Sequence, residues 1–384
     1  MTYSEAISYL HNTPRFPAVP SLSRIQALLE KLGDPQKALR FLHIAGTNGK
    51  GSTAIMTASI LTAAGYRTGL FTSPYLEEFG ERFRIDGISI GKEDLCIYVV
   101  KVKEAADALA KEEIQLTEFE LVTAIGFLYF KDQLCDFVVL ETGLGGRFDA
   151  TNIIAPPLAA AITSISKDHV QTLGNTLGQI TKEKCGILKP GSSAVTTSHQ
   201  TPEVLDVIQR TCQAQKIPLY ITADAAQISP ISFSLFGTKF FWKGITYQIP
   251  LLGQHQVENA LLALELSHII RERGFPISNE AEQQGLASVS WPGRLELFSK
   301  QPMILLDTAH NPGGVEVLCQ ALSQYVSNRN IHTIMGMFQD KAFEFCVTEI
   351  AKRSTRFYAA LSPEPARAVP ASITAEIAKK FANK

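Results

Sequence analysis

A lysine framed by glycines, in Gly46-Thr47-Asn48-Gly49-Lys50-Gly51-Ser52, is the densest piece of chemistry in the chain. Glycines at this spacing let backbone N–H groups turn inward on an anion. A helix starting here adds its positive end, and Lys50 can reach the outer phosphates of ATP. The common phosphate loop wants a glycine about five residues before the Gly-Lys pair and a hydroxyl directly after the lysine. Those places hold Ile44 and Gly51, and the hydroxyl of Ser52 comes one place late. A Mg2+ bound with the nucleotide would then depend more on residues elsewhere.

Glu141 opens a second glycine-rich run, 141–152, and a strand-end carboxylate suits Mg2+, which is often held by one or two carboxylates plus phosphates. His169, within Lys167-Asp168-His169-Val170, could complete a cation site with a neutral imidazole, although a lone histidine is more often a structural residue. Ser73, before Pro74, reads as an ordinary turn starter. Lys182-Glu183-Lys184-Cys185-Gly186 reads as a solvated helix end, its basic side chains complementing the helix dipole and Gly186 serving as cap. The segment 306–314 brings Asp307, His310 and Asn311 together before a glycine-rich helix start, where it could face the nucleotide from a second domain.

These residues need elements that carry them to one place. Continuous apolar runs at 41–45, 137–140 and 159–165 predict strands buried on both faces of a parallel sheet, with a further short strand at 68–71. Helical patterns cover 53–64, 92–109, 118–131, 176–185, 202–215 and 255–273, and 231–249 is β-rich with Gly237 and Gly244 as turn points. Ligands collect outside the carboxyl ends of parallel strands, so the strand ends should converge on one crevice. Trp291-Pro292-Gly293-Arg294 is a joint, which places one domain at 1–290 and a second at 291–384. The second domain alternates strands (295–298, 303–306, 333–337, 356–360) with helices (314–325, 343–352, 372–381). The fold class is α/β: a phosphate-loop, parallel-sheet ATPase domain followed by a smaller Rossmann-like domain.

At 384 residues two domains are the default, each able to bury a core. With 36 basic and 37 acidic side chains the net charge of −1 gives no reason to propose nucleic acid or an anionic membrane as partner. No leader and no apolar run of spanning length is visible, so a cytoplasmic, monomeric protein working on small molecules is expected. Six cysteines lie scattered without a C-x-x-C pair, arguing against a disulfide framework or zinc knuckle.

Taken together, 43–52, Thr72-Ser73-Pro74-Tyr75-Leu76 with Glu81-Arg82, 141–152, Asp168-His169-Val170, 183–187, 291–294, 307–312, and Gly336-Met337 with Asp340-Lys341 closely resemble the folylpolyglutamate synthase and dihydrofolate synthase family, within the Mur ligases. The resemblance implies that ATP phosphorylates a carboxylate and the amine of L-glutamate attacks the acyl phosphate. The acceptor would be tetrahydrofolate, with dihydropteroate open as a further one. It also implies roles. Gly46 to Ser52 would cradle the phosphates; Ser73, Glu141 and His169 would hold Mg2+; and Lys184 matches a lysine carried as its N-carboxylated form, an oxygen ligand for a second Mg2+. Asn259, Arg294 and Asp307 match nucleotide contacts, and His310 a histidine near the reacting groups. Thr117, Glu118, Phe119 and Glu120, with Phe148, Asp149 and Ala150, match the pterin site, where Phe119 and Phe148 either face a flat ring or pack in a core.

Relatives are expected to continue past the helix at 372–381 with a strand, a helix and a final strand, which would leave a sheet edge open here. That feature motivates the competing reading, a nucleotide-binding regulatory or interaction module with impaired chemistry.

Overall fold

The computed structural model describes residues 1–15, 19–225, 228–229 and 231–382. Its centre is an eight-stranded sheet built from β1 (Phe41–Ala45), β2 (Thr68–Phe71), β3 (Phe83–Ile85), β4 (Ile88–Ser89), β5 (Phe137–Glu141), β6 (Ala159–Ile162), β7 (Ser193–Thr196) and β8 (Leu219–Ile221). The order is β4-β3-β2-β5-β1-β6-β7-β8. Neighbours from β2 to β8 run parallel, and β3 and β4 add an antiparallel edge.

Every residue of β1, β5 and β6 is buried, which is why these strands read as unbroken apolar runs. Alternate residues serve opposite layers, as the two-residue period of a strand requires. Phe137 and Val139 join the core under the helices Lys50–Ala63 and Gln254–Glu272, whereas Val138 and Leu140 join the core under Lys92–Ala110 and Glu118–Asp132. The first of these cores is tight: a Cβ on Gly285, in the helix Asn279–Ala287, would lie 2.5 Å from Ile60 Cα.

In register, Ile44 of β1 pairs with Glu141 of β5 and with Ala161 of β6. Their C-terminal ends therefore lie side by side, at the switch point where an open α/β sheet binds ligands. β6 stops at Ile162, short of the expected 165. The following residues instead line the phosphate loop, with Ser164 O accepting from Thr47 N at 2.9 Å and from Asn48 N at 3.3 Å.

The expected β-rich segment is an antiparallel meander of β9 (Ile231–Ser234), β10 (Gly237–Trp242) and β11 (Ile245–Ile249). The second domain opens on an antiparallel hairpin, β12 (Glu296–Lys300) with β13 (Met303–Leu306), and continues with the parallel pair β14 (His332–Met335) and β15 (Arg356–Ala359). The helices Pro312–Val326, Phe343–Ala351 and Ala371–Lys379 cover one side with Val315, Val347 and Ala378. On the other side Ile304, Leu306, Ile334 and Tyr358 face solvent, Ile334 being 78% exposed. Among the described residues, no helix is long and apolar enough to cross a membrane.

Candidate active site

The phosphate loop leaves β1 with Gly46 and enters the helix Lys50–Ala63 through Gly49, whose φ of 88° is left-handed. A Cβ on Gly49 would fall 2.3 Å from Asn259 Oδ1, so Asn259 forms the loop's wall. The unusual Gly51 has a steric cause. A Cβ there would lie 2.8 Å from the Trp291 ring, so a side chain cannot follow the lysine and the hydroxyl moves to Ser52, which is buried. Lys50 Nζ donates to Thr47 O at 3.2 Å. Desolvation pulls its pKa down, and Glu141, foremost among the carboxylates, opposes that.

Glu141 arrives at the end of β5 with 5% exposure and accepts from Ser73 N at 3.0 Å. Burial raises its pKa; Lys50 and then the Ser73 N–H resist. His169 occupies a left-handed conformation, φ 49° and ψ 39°, at the start of a short helix, uncommon for a non-glycine residue. Lys184 is not on a solvated helix end. It is 4% exposed, its Nζ donates to Gly46 O at 2.7 Å, and burial first, then Lys50, lower its pKa to about 7. Among the described residues no cluster of three or more His, Cys, Asp or Glu side chains is ready to hold a metal. The donors present, one carboxylate, one imidazole and one hydroxyl, would fit Mg2+ taking its remaining oxygens from phosphates and water.

Gly186 is not a left-handed cap either. A Cβ on Gly186 would lie 2.3 Å from Arg147 Cα, and one on Gly146 would lie 2.7 Å from Lys184 O. Two glycines thus let the 143–152 loop lock against the chain carrying Lys184. Arg147 N donates to Glu183 O at 2.8 Å, and Asn152 Nδ2 donates to Arg147 O at 3.1 Å and Gly186 O at 3.0 Å. At the loop's rim Phe148 is 44% exposed, with the Arg147 guanidinium 4.9 Å from its ring centroid. It is open to a flat ligand and not packed in a core. Asp149 and Ala150 are turned inward and buried.

Thr117 and Glu120 close a capping box on the helix Glu118–Asp132, and Glu120 also pairs with Arg24 at 3.1 Å. Glu118 is partly buried near Arg15. Phe119 packs against Gly143, where a Cβ would come within 2.6 Å of its ring, and edge-on to Phe71.

The second domain closes over this crevice. Asp307 accepts from Leu295 N across the hairpin at 2.9 Å and from Ala309 N of its own turn at 2.7 Å. His310 Nδ1 lies 2.9 Å from Thr308 O, and desolvation foremost lowers its pKa. A carbonyl only accepts, so Nδ1 carries the hydrogen and Nε2 is the free acceptor. Arg294 acts at longer range, lowering Lys50 and Glu141 alike.

Two interdomain contacts escaped the sequence reading. Asn48 of the phosphate loop and Asn311 exchange amide hydrogen bonds at 3.2 and 2.9 Å, while Asn311 Oδ1 caps the helix Pro312–Val326 through Gly314 N. Lys341 Nζ lies 2.9 Å from Asp168 Oδ1 and 3.3 Å from His169 Nε2. The sequence signal was Asp340-Lys341 itself, a charged pair following a strand end.

Comparison with known proteins agrees with this geometry. Residues 44–267 match the Mur ligase middle domain, and residues 293–383 match the Mur ligase, glutamate ligase domain. The chain is 40% identical to the dihydrofolate synthase/folylpolyglutamate synthase of Bacillus subtilis, over 89% of this chain and 81% of that one. It is 33% identical to the folylpolyglutamate synthase of Lacticaseibacillus casei, over 96% and 88%. Among solved structures, the Mycobacterium tuberculosis folylpolyglutamate synthase complexed with ADP superposes with a TM-score of 0.89 at 31% identity, over 99% of this chain and 86% of that one. An FPGS–AMPPCP–folate complex gives 0.82 at 33% identity, over 87% and 83%. A phosphate loop, a strand-end glutamate and a buried lysine meeting under a second α/β domain, on a sequence this close to those enzymes over most of its length, make the chain a member of the folylpolyglutamate synthase and dihydrofolate synthase family of ATP-dependent Mur ligases.

Proposed function

We propose that this chain uses Mg-ATP to join L-glutamate to tetrahydrofolate through an acyl phosphate, with dihydropteroate the second acceptor to be tested. The observation that carries the reading is the convergence of Lys50, Glu141 and Lys184 on one crevice, with Asp168 and Asp149 close enough to shift both lysines. Lys50 and the N–H groups at the start of its helix, within the 46–52 loop, hold and neutralise the phosphates, the Thr47 and Asn48 N–H groups being taken by Ser164 O. Asn259, Arg294 and Asp307 fix the nucleotide. Thr117 to Glu120 and Phe148 to Ala150 take the pterin, with the exposed Phe148 ring stacking on it. Ser73, Glu141, His169 and Lys184 in a carboxylated form would hold Mg2+, which would supply charge screening for the transferring phosphoryl group.

The acceptor carboxylate oxygen attacks the γ-phosphorus and ADP leaves. The glutamate amine then displaces phosphate from the acyl carbon, forming the amide. That amine must first shed a proton, and the bare Nε2 of His310 accepts it, since Nδ1–H is held by Thr308 O.

Mass spectrometry of products after incubation with Mg-ATP, glutamate and either acceptor tests the reading. A gain of glutamyl units supports it and identifies the acceptor. ATP binding without phosphate release in the presence of all substrates would favour the regulatory-module reading instead.

A further inference from the structure

β1 carries a polar residue that the proposed chemistry leaves unused. His43 is fully buried in mid-strand, three positions before Gly46 of the phosphate loop. Its Nε2 lies 2.8 Å from Thr151 Oγ1, and that hydroxyl lies 2.5 Å from Asp149 Oδ1. Asp149 also accepts from Thr151 N at 3.1 Å and Leu144 N at 2.8 Å, and from Gly143 N. One carboxylate therefore closes the glycine-rich loop on itself, and one imidazole ties that closure to the central strand. Among the described residues His43 Nδ1 has no hydrogen-bond partner.

The direction of each hydrogen bond follows from the donors available. Three backbone N–H groups, those of Thr151, Leu144 and Gly143, can only donate to Asp149, and they favour its ionised form against the burial that raises its pKa. The Thr151 O–H therefore points to Asp149, and its oxygen receives a hydrogen from His43. Burial, foremost, and Lys189 lower the His43 pKa to about 3, so the neutral ring carries one N–H. That hydrogen sits on Nε2. Nδ1 is then a buried lone pair, which proteins tolerate better than an orphaned N–H.

We propose that His43 is a positioning residue for the ligase reaction: acting through Thr151 and Asp149, it fixes the acceptor loop to the same strand that launches the phosphate loop. The strand thereby sets the reach between the acceptor carboxylate and the γ-phosphate. This inference rests on the reading that residues 143–152 hold the acceptor. Displacement by about 1 Å in such an arrangement can cost on the order of 100-fold in rate.

The test compares His43→Leu, which removes the donor, with His43→Gln, which keeps an N–H within reach. Thr151→Val and Thr151→Ser form a parallel pair should the Leu variant fail to fold. His43→Leu is expected to lower kcat/KM for the folate acceptor by about tenfold or more, leaving the KM for ATP within about twofold, and Gln to restore most of the loss. Faster hydrogen exchange at the amides of Gly143, Leu144 and Thr151 should accompany the loss. The wild-type imidazole nitrogen spectrum should show a protonated Nε2 and a bare Nδ1. Equal impairment by Leu and Gln with unchanged loop exchange, or a protonated Nδ1, would overturn the proposal. A wild-type chain that adds no glutamate would overturn the functional reading instead, and the exchange and nitrogen data would still decide the relay.

Discussion

Replacing Lys341 by methionine keeps the length of the side chain and removes the charge that joins the second domain to Asp168. Both partners are largely withdrawn from water, with side-chain exposures of 8% and 13%. Burial alone would raise the Asp168 pKa; His169, Lys341 and His310 outweigh it and bring it from 3.8 to about 2. At about 1.36 kcal/mol per unit, that drop corresponds to about 2 kcal/mol. Lys341 supplies part of it, so Lys341→Met should weaken the closed arrangement by about 1–2 kcal/mol, a roughly 5- to 30-fold shift toward open states. The sign with pH is fixed. A carboxylate whose pKa is depressed on folding contributes stability above 3.8 that is lost as pH falls toward 2, so the variant should be less stable at neutral pH and its acid limb should move to higher pH. Urea titrations at several pH values and small-angle scattering measure both effects. Identical acid limbs and identical compaction in variant and parent would refute the assignment of Lys341 as an interdomain link.

Lys184, with its pKa near 7, holds roughly a thousandfold more neutral amine at neutral pH than a free lysine would. Bicarbonate should therefore raise activity, and should do so more at pH 8 than at pH 6, an effect absent from Lys184→Ala. Its depressed pKa also predicts that stability of the metal-free protein rises with pH between about 7 and 10.5, measured as Tm across that range. Gly51→Ala puts a Cβ 2.8 Å from the Trp291 ring and should raise the KM for ATP about tenfold while changing Tm by only a few degrees, read by kinetics and calorimetry. ATP and folate together should compact the molecule, seen as a smaller radius of gyration and more interdomain crosslinks than with either ligand alone.

The sheet was legible because doubly buried strands leave continuous apolar runs, and Phe137–Glu141 delivers its glutamate where that pattern puts it. The helices Tyr3–Asn12, Ser23–Lys31 and Asn279–Ala287, and the strands β3, β4 and β8, left no comparable signal; they are short and hold only a few buried residues each. Lys184 was misread from local sequence because a lysine at a helix end looks solvated. Only Gly46 O, 138 residues away in the chain, and the loop folded over it show that it is buried. Gly186 was misread for the same reason: its purpose is contact with Arg147, and a sequence window sees only the cap. The Asn48–Asn311 exchange joins residues 263 positions apart and has no periodic signature at all. Local pattern thus carries the scaffold, while the site depends on contacts between ends of elements that are remote in sequence.

The paired glycines at 146 and 186 constrain how an enzyme of this shape can change its preferences. Backbone meets backbone at both positions, so the acceptor loop and the segment bearing Lys184 move as one piece. A substitution that reshaped the inner half of the loop would also displace the lysine and with it the phosphoryl chemistry. The rim beyond the Arg147 backbone is freer: the Phe148 ring and the Arg147 guanidinium are exposed and lie against each other. If the loop takes the acceptor as proposed, variation in acceptor preference should accumulate at the Phe148 side of that rim, and libraries aimed at new acceptors should be confined there.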